Sequence, residues 1–430
     1  MNPTPTNASL PATPPLSTRN VPNRTAMAVM TTIFFMWGFI TVLNDVLIPH
    51  LKSVFTLNYA EVMLVQSTFF GAYFIMSLPS GKVLAHFGYR ASIIAGLIVT
   101  GVGALLFVPA AQAQSYPLFL FAFFVLASGI TLLQVAANPY VSLLGIPERA
   151  SSRLNFTQAW NSVGTMLAPT FGGLLILSTA VLGATELAKL SPAAQAAYKL
   201  QQAHSVQGPY VGIAIVLFAL ALLVWLCHLP QLENTAEADD SRHRFVDALK
   251  LPRVWFGMLA IFVYVGAEVS IGSFMINYLA LPQIGHMPEA RAAFYVSLYW
   301  GGAMIGRFIG SALLTRIDTR KLLAFNAGIA VLLVVTTMLT HGNVAVASVV
   351  AIGLFNSVMF PNIFTLGIEK FGPLTGKVSS LLVMAIVGGA IIPFAQGALA
   401  DVIGVHHAFV LPLLCYLYII FYGLKGSRVA

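Results

Sequence analysis

A soluble chain of 430 residues would carry roughly a quarter charged side chains, whereas this one has 8 % charged and 58 % hydrophobic residues and a mean hydropathy of +0.85. An ordinary soluble enzyme is excluded. So is a nucleic-acid binder, because the net charge of +8 comes from 22 Lys and Arg scattered in ones and twos rather than gathered in a stripe. The two cysteines, Cys227 and Cys415, sit in apolar runs and make neither a metal cluster nor a disulfide framework.

In chain order, Met1 to Asn23 is rich in Pro, Thr, Asn and Ser with no apolar signal-peptide core, and reads as a disordered cytoplasmic tail (1–23). The rest is dominated by charge-free intervals. A helix needs ~20 mainly apolar residues to cross the hydrocarbon core, and the 57 uncharged residues between Arg90 and Glu148, like the 47 between Lys321 and Glu369, hold two spans each. Turn-forming clusters at Gln112 to Pro117 and His341 to Asn343 divide them. Adding the runs at about 25–49, 60–84, 153–179, 209–229, 253–280, 289–314, 374–398 and 402–424 predicts twelve transmembrane helices, an all-α polytopic membrane protein. These runs lack two-residue alternation and are twice the length of a barrel strand, which excludes a β-barrel.

The polar stretch from Gln231 to Pro252 splits the chain into an N-terminal six-helix bundle (24–230), a cytoplasmic linker (231–252) and a C-terminal six-helix bundle (253–430). With the amino terminus inside, the cytoplasmic segments hold seventeen Lys and Arg and the opposite side four, namely Lys52, Lys189, Lys199 and Arg291. By the positive-inside rule both termini are cytoplasmic. Asn138, Gly164, Pro169 and Gly173 recur as Asn362, Gly388, Pro393 and Gly397, all at an offset of 224. The loop from Gly81 to Arg90 has a looser counterpart from Gly310 to Arg320. This is the pattern of a parallel duplication, the arrangement of major facilitator transporters, whose site lies between the halves at the midplane.

Ionisable groups in mid-span are costly and mark functional candidates. Three fit: Asp45 in span 1, Glu268 in span 7 and Arg307 in span 8. Spans 1 and 7 are equivalent, so the two carboxylates can face one cavity as proton-coupling groups; the structural alternative is that each partners an arginine or backbone amides near a kink. Arg307 reads as the structural member of an ion pair. A second set is amides: Asn44 on span 1, Gln134 and Asn138 one turn apart on span 4, Gln158 and Asn161 on one face of span 5 with Thr165, and Asn277 and Asn362 in the second half. An amide both donates and accepts, which suits the hydroxyls of a neutral polyol better than an ion, and Trp37 and Trp160 offer aromatic faces nearby. Interhelical hydrogen bonding is the alternative for any one of them. The set as a whole favours a sugar-sized site lined by Trp37 and these amides.

The nearest string to a phosphate-binding loop, Gly372-Pro-Leu-Thr-Gly-Lys, is one residue short and continues with Val378, so ATP hydrolysis is not expected. The nine histidines do not stand at metal-ligand spacing, and no cofactor or metal is expected.

The sequence resembles the fucose–galactose–glucose proton symporters of the major facilitator superfamily, in particular the bacterial glucose/galactose permease branch. Trp37-Gly-Phe-Ile-Thr-Val-Leu-Asn-Asp, Gly129-Ile-Thr-Leu-Leu-Gln-Val-Ala-Ala-Asn-Pro-Tyr, Gln158-Ala-Trp-Asn-Ser-Val-Gly, Tyr264-Val-Gly-Ala-Glu, Gly306-Arg-Phe-Ile-Gly and Phe360-Pro-Asn carry the likeness. It implies proton-coupled uptake of a neutral sugar of glucose, galactose, fucose or N-acetylglucosamine type by alternating access, with Asp45 of the Asn-Asp pair as proton or substrate site. Three positions depart from the L-fucose symporter: Gln134 stands for its glutamate, Glu268 for its glutamine and Phe360 for its tyrosine. The loop after span 2 has Ala85 and His86 where the superfamily signature has Asp and Arg. The expected protein is a monomer in a bacterial cytoplasmic membrane whose partners are sugar, proton and lipid, with no nucleic acid. The alternatives are a drug or sugar efflux carrier of the same fold, of which a drug carrier would have a greasy, amide-poor cavity, and a polytopic membrane enzyme, which would need a nucleophile–base or metal constellation that the spans lack.

Overall fold

The computed structural model describes residues 24–55, 59–175, 189–227, 229–230 and 245–428; the expected tail 1–23 and residues 231–244 of the expected linker lie outside them. The described chain is helical, with no strand among the described residues. Twelve long helices follow in order: α1 Arg24–Phe55, α2 59–87, α3 89–112, α4 Tyr116–Leu143, α5 Ala150–Leu175, α6 Gln207–Leu226, α7 Pro252–Ala280, α8 Glu289–Leu313, α9 Thr319–Leu339, α10 Gly342–Ile368, α11 Gly372–Ile403 and α12 Val405–Arg428. A sharp bend at Gly88 (φ 73°, ψ 176°) separates α2 from α3, a conformation open to glycine without strain. The two breaks expected inside the charge-free intervals fall where turn residues cluster, at 113–115 and 340–341. Ten of the twelve lie in segments long and apolar enough to cross a bilayer; α5 and α8, the two more polar helices, do not reach that apolarity and pack on each other.

Two six-helix bundles result. In the first, α1 packs on α5 while α2 and α3 pack on α4 and α6; in the second, α7 packs on α11 and α12, α9 on α10 and α12, and α8 on α10. The 224-residue repeat has a packing reason. A Cβ on Gly164 of α5 would stand 2.2 Å from the Phe35 carbonyl oxygen of α1, and one on Gly388 of α11 would stand 2.0 Å from the Phe262 carbonyl oxygen of α7. Each half thus seats its fifth helix against its first through a glycine, the small-residue approach that tightens helix pairs in lipid.

One end of the molecule carries the basic connections. There Arg153 at the start of α5 donates from Nε to the Val141 carbonyl (3.1 Å), and from its two terminal nitrogens to Ile146 (2.9 Å) and Ser142 (2.6 Å), pinning the end of α4 and the turn after it to α5. Glu369 joins Arg253 of α7 and Arg320 of α9 at the same end. The described part of the expected linker includes a short helix, Phe245–Leu249, whose last carbonyl accepts from Trp255 Nε1 at 2.6 Å. Between bundles, contact runs through α5 with α8 and α10, and through α11 with α2 and α4.

Candidate functional site

The bundles meet through short polar side chains toward the basic end. Ser151 Oγ lies 2.6 Å from Thr365 Oγ1 and accepts from Thr319 at 3.0 Å; Ser152 and Ser311 each donate to the other's carbonyl at 2.7 and 3.0 Å. Asn155 Nδ2 donates to Asn362 Oδ1 at 2.9 Å, and Ser379 Oγ of α11 donates to the Val135 carbonyl of α4 at 2.9 Å. These groups close the basic end.

Among the expected site residues, Gln134, Asn138, Gln158 and Asn362 are all buried and retain unused capacity. Gln134 Oε1, both amide atoms of Asn138, Gln158 Nε2 and Asn362 Nδ2 make no hydrogen bond among the described residues. Gln134 Nε2 donates to the Tyr73 hydroxyl at 2.6 Å, and the Trp37 indole faces that same hydroxyl. Tyr73 of α2 therefore joins two expected residues, and nothing in its sequence context marked it out. Asn161 is buried but spends Nδ2 on the Phe34 carbonyl at 2.9 Å, so it is also a tie between α1 and α5. Asn277 is exposed near the far end of α7, ~13 Å along the helix from Glu268, and the structure does not bring it to the buried amides. The side chains of Asn44 and Asp45 lie outside the described residues. Ser270 Oγ and the Gln396 amide, also buried and without hydrogen-bond partners among the described residues, escaped the sequence reading. Close contacts at Phe262 with Gly388 and at Gly266 with Ile392 set a register that continues to Ser270 and Gln396 on α7 and α11.

The charged centre lies in the second bundle. Glu268 Oε1 stands 3.9 Å from the Arg307 guanidinium, and both side chains are only 12 % exposed. Tyr264, one turn before Glu268, has its hydroxyl 2.7 Å from Glu268 Oε1 and 3.0 Å from the Asn356 carbonyl. Asn356 is fully engaged: Nδ2 donates to Tyr299 at 2.7 Å, and Oδ1 accepts from Tyr416 at 2.6 Å. Tyr299 in turn donates to the Glu268 carbonyl at 3.3 Å. Arg307 also donates from Nε to the Ser357 carbonyl of α10 (3.1 Å) and, beyond its bundle, from a terminal nitrogen to Ser162 Oγ of α5. The sequence marked Glu268 and Arg307 as charged candidates but left Tyr264, which only opens a family string, without a role, although its i, i+4 spacing from Glu268 is legible.

Chemically, such a site offers open amide donors and acceptors to a neutral hydrogen-bonding solute, and an enclosed carboxylate with its counter-ion to a proton. Residues 25–393 match the Major Facilitator Superfamily, and the chain belongs to that family. It is a multi-pass membrane transporter. It is 49 % identical over 423 residues, 98 % of this chain and 99 % of the relative, to the glucose/galactose transporter of Brucella abortus biovar 1 (strain 9-941). It is 36 % identical over 409 residues, 94 % of this chain and 93 % of the relative, to the L-fucose-proton symporter of Escherichia coli K12. A crystal structure of the major facilitator transporter FucP in the outward conformation superposes with a TM-score of 0.85 at 35 % identity, covering 94 % of this chain and 98 % of that one.

Proposed function

We propose that this protein is a secondary active transporter that takes up a neutral sugar together with a proton by alternating access between its two bundles, with boundaries at 24–230 and 253–430. The observation that carries the reading is the row of buried amides with open capacity at Gln134, Asn138, Gln158 and Asn362. Leaving such groups unpaired costs ~1–3 kcal/mol each, a cost that a polyhydroxylated solute removes by supplying both donors and acceptors. The glucose/galactose and L-fucose-proton relatives support sugar and proton as the transported pair. Trp37, Asn44 and Asn161 complete the proposed sugar site, and Asp45 and Glu268 are the proposed proton groups.

The basic end is the cytoplasmic one on this reading, since Arg149, Arg153, Arg316, Arg320 and Lys321 would all be costly to translocate. With that end closed by the polar contacts between α5, α8 and α10, the described state faces outward. The protein works as a monomer in a bacterial cytoplasmic membrane, surrounded by lipid and without nucleic acid. Uptake of labelled hexoses, deoxyhexoses and N-acetylhexosamines into cells, with and without a protonophore, tests the reading. Accumulation of one class that collapses with the protonophore is expected; no accumulation of any of them, or export instead, refutes it.

A further inference from the structure

Helix α10 is interrupted at Ser357 and Val358, and the cause is Pro361, which has no N–H to return to the Ser357 carbonyl. The two carbonyls at the break are taken by side chains. Arg307 Nε donates to Ser357, and Tyr264 reaches Asn356. Both of these side chains also touch Glu268.

A count of hydrogens then matters. The Tyr264 hydroxyl carries one hydrogen but stands within bonding distance of two acceptors, Glu268 Oε1 at 2.7 Å and the Asn356 carbonyl at 3.0 Å. Both bonds form together only when Glu268 supplies the second hydrogen. We propose that Glu268 is a positioning residue through which a bound proton sets the break in α10 and the interbundle contact of Arg307. The inference rests on the proton-coupled sugar reading given above.

With the carboxyl protonated, its O–H donates to Tyr264, Tyr264 donates to Asn356, and Arg307 faces no anion, so its donors go to Ser357 and to Ser162 across the interface. The basic end is then latched. When the proton leaves to water, the Tyr264 hydrogen turns to the carboxylate, the Asn356 carbonyl loses its donor, and the anion 3.9 Å away draws Arg307 from Ser162. The other groups around Glu268 do not replace the proton. Tyr299 from α8 and Tyr416 from α12 have their hydroxyls committed to the Glu268 carbonyl and Asn356, and Lys377 and Asp401 of α11 stand toward the two ends of that helix.

Coupling follows from the position of Ser162. It lies one turn beyond Gln158 and donates to the Gln158 carbonyl at 3.1 Å, on the α5 face proposed to hold sugar. A proton alone therefore holds the basic end shut, and sugar on that face competes with Arg307 for Ser162 and releases it. Proton leak without sugar is suppressed by the same contact.

The test is a distance measurement between spin labels on Glu148→Cys and Arg316→Cys, exposed on opposite bundles at the basic end, in purified sugar-free protein with Cys227 and Cys415 changed to serine. The short-distance population of the parent is expected to grow as pH falls. Glu268→Gln keeps an N–H for Tyr264 and carries no charge, so it should hold the short distance at every pH, whereas Glu268→Asp should titrate. Ser162→Ala should lower the short-to-long ratio at low pH by about tenfold, the loss of one hydrogen bond to a charged group. If Glu268→Gln does not give monodisperse protein, Tyr264→Phe tests the same path and should also lower that ratio. Glu268→Gln that titrates like the parent, or Ser162→Ala and Tyr264→Phe that both leave the low-pH ratio unchanged, overturns the proposal. Parallel uptake assays on the unlabelled parent separate the two claims. Proton-driven sugar accumulation with an unchanged titration in Glu268→Gln leaves the transport reading standing and removes this one. Loss of titration in Glu268→Gln from a parent that carries no sugar does the reverse.

Discussion

Gln158 and Asn161 lie one turn apart on α5, yet opposite signs are expected when each amide is removed. Gln158 is buried with Nε2 unpaired among the described residues, so Gln158→Met, which keeps length and removes the amide, relieves an unsatisfied donor. Sugar-free thermal stability should stay level or rise, by up to ~1 kcal/mol. Asn161 spends its Nδ2 on Phe34 at 2.9 Å, and Asn161→Leu should cost ~0.5–1.5 kcal/mol of stability. Affinity should move differently from stability. If Gln158 bonds a sugar hydroxyl, its loss should cost ~1–3 kcal/mol of binding, a rise of about 5- to 150-fold in KM. The assay is thermal unfolding in detergent with and without sugar, beside initial uptake rates in sealed vesicles; the sugar-dependent rise in melting temperature should shrink in Gln158→Met. A Gln158→Met protein that is destabilised like Asn161→Leu and keeps the parental KM would show that the amide is a structural tie and would refute the reasoning.

Asp45→Asn removes a titratable group while keeping its shape, and should abolish accumulation of sugar against a gradient; labelled-sugar exchange separates loss of coupling from loss of binding. If the variant still concentrates sugar with normal protonophore sensitivity, the proton role falls to Glu268 alone. Arg153→Lys keeps the charge but cannot fork onto the Val141, Ser142 and Ile146 carbonyls, and should lose ~2–3 kcal/mol of stability, read as a lower melting temperature; a parental melting temperature contradicts the staple. For topology, cysteines replacing Ser53 and Ser205 should react with an impermeant thiol reagent added to right-side-out cells, and one replacing Ser241 should not. Labelling at Ser241→Cys would invert the orientation.

Much of the architecture was legible because the membrane imposes it. Charge-free intervals bounded by Arg90, Glu148, Lys321 and Glu369 fix where chain must lie in hydrocarbon, and turn residues near 113–115 and 340–341 fix where it reverses. Gly164 and Gly388 were visible as a repeat, but their reason, a fifth helix pressed on a carbonyl of the first, is a tertiary fact. The site was only half legible for a related cause. Glu268 and Arg307 stand out because charge is rare in a span, whereas Tyr73 and Tyr264 are hidden among 14 tyrosines and gain meaning only from what their hydroxyls touch. Amide spacing likewise cannot separate Asn161, which is committed to Phe34, from Gln158, which has an open donor, or foresee that Asn277 is exposed.

The duplicated halves differ at one place that carries a consequence for transport. Asn138 and Asn362 are equivalent at the offset of 224, and the same offset takes Asn155 to Ser379. Asn155 reaches Asn362 across the interface at 2.9 Å, while the shorter Ser379 gives its hydroxyl to the Val135 carbonyl, one turn from Asn138. Asn138 is left fully buried with neither amide atom bonded among the described residues. A single difference of side-chain length between the halves therefore explains why Asn362 has its amide oxygen bonded across the interface while Asn138 has neither amide atom bonded among the described residues. Ser379→Asn should restore the missing bond, tie α11 to α4 as α5 is tied to α10, and hold the basic end shut. One added amide–amide bond of about 1 kcal/mol should slow uptake about fivefold. Combining the change with Asn138→Leu should remove the bond and return most of that rate. If Ser379→Asn transports at the parental rate, or if Asn138→Leu does not relieve its defect, the two asparagines are not equivalent parts of the interface and the argument from the duplication fails.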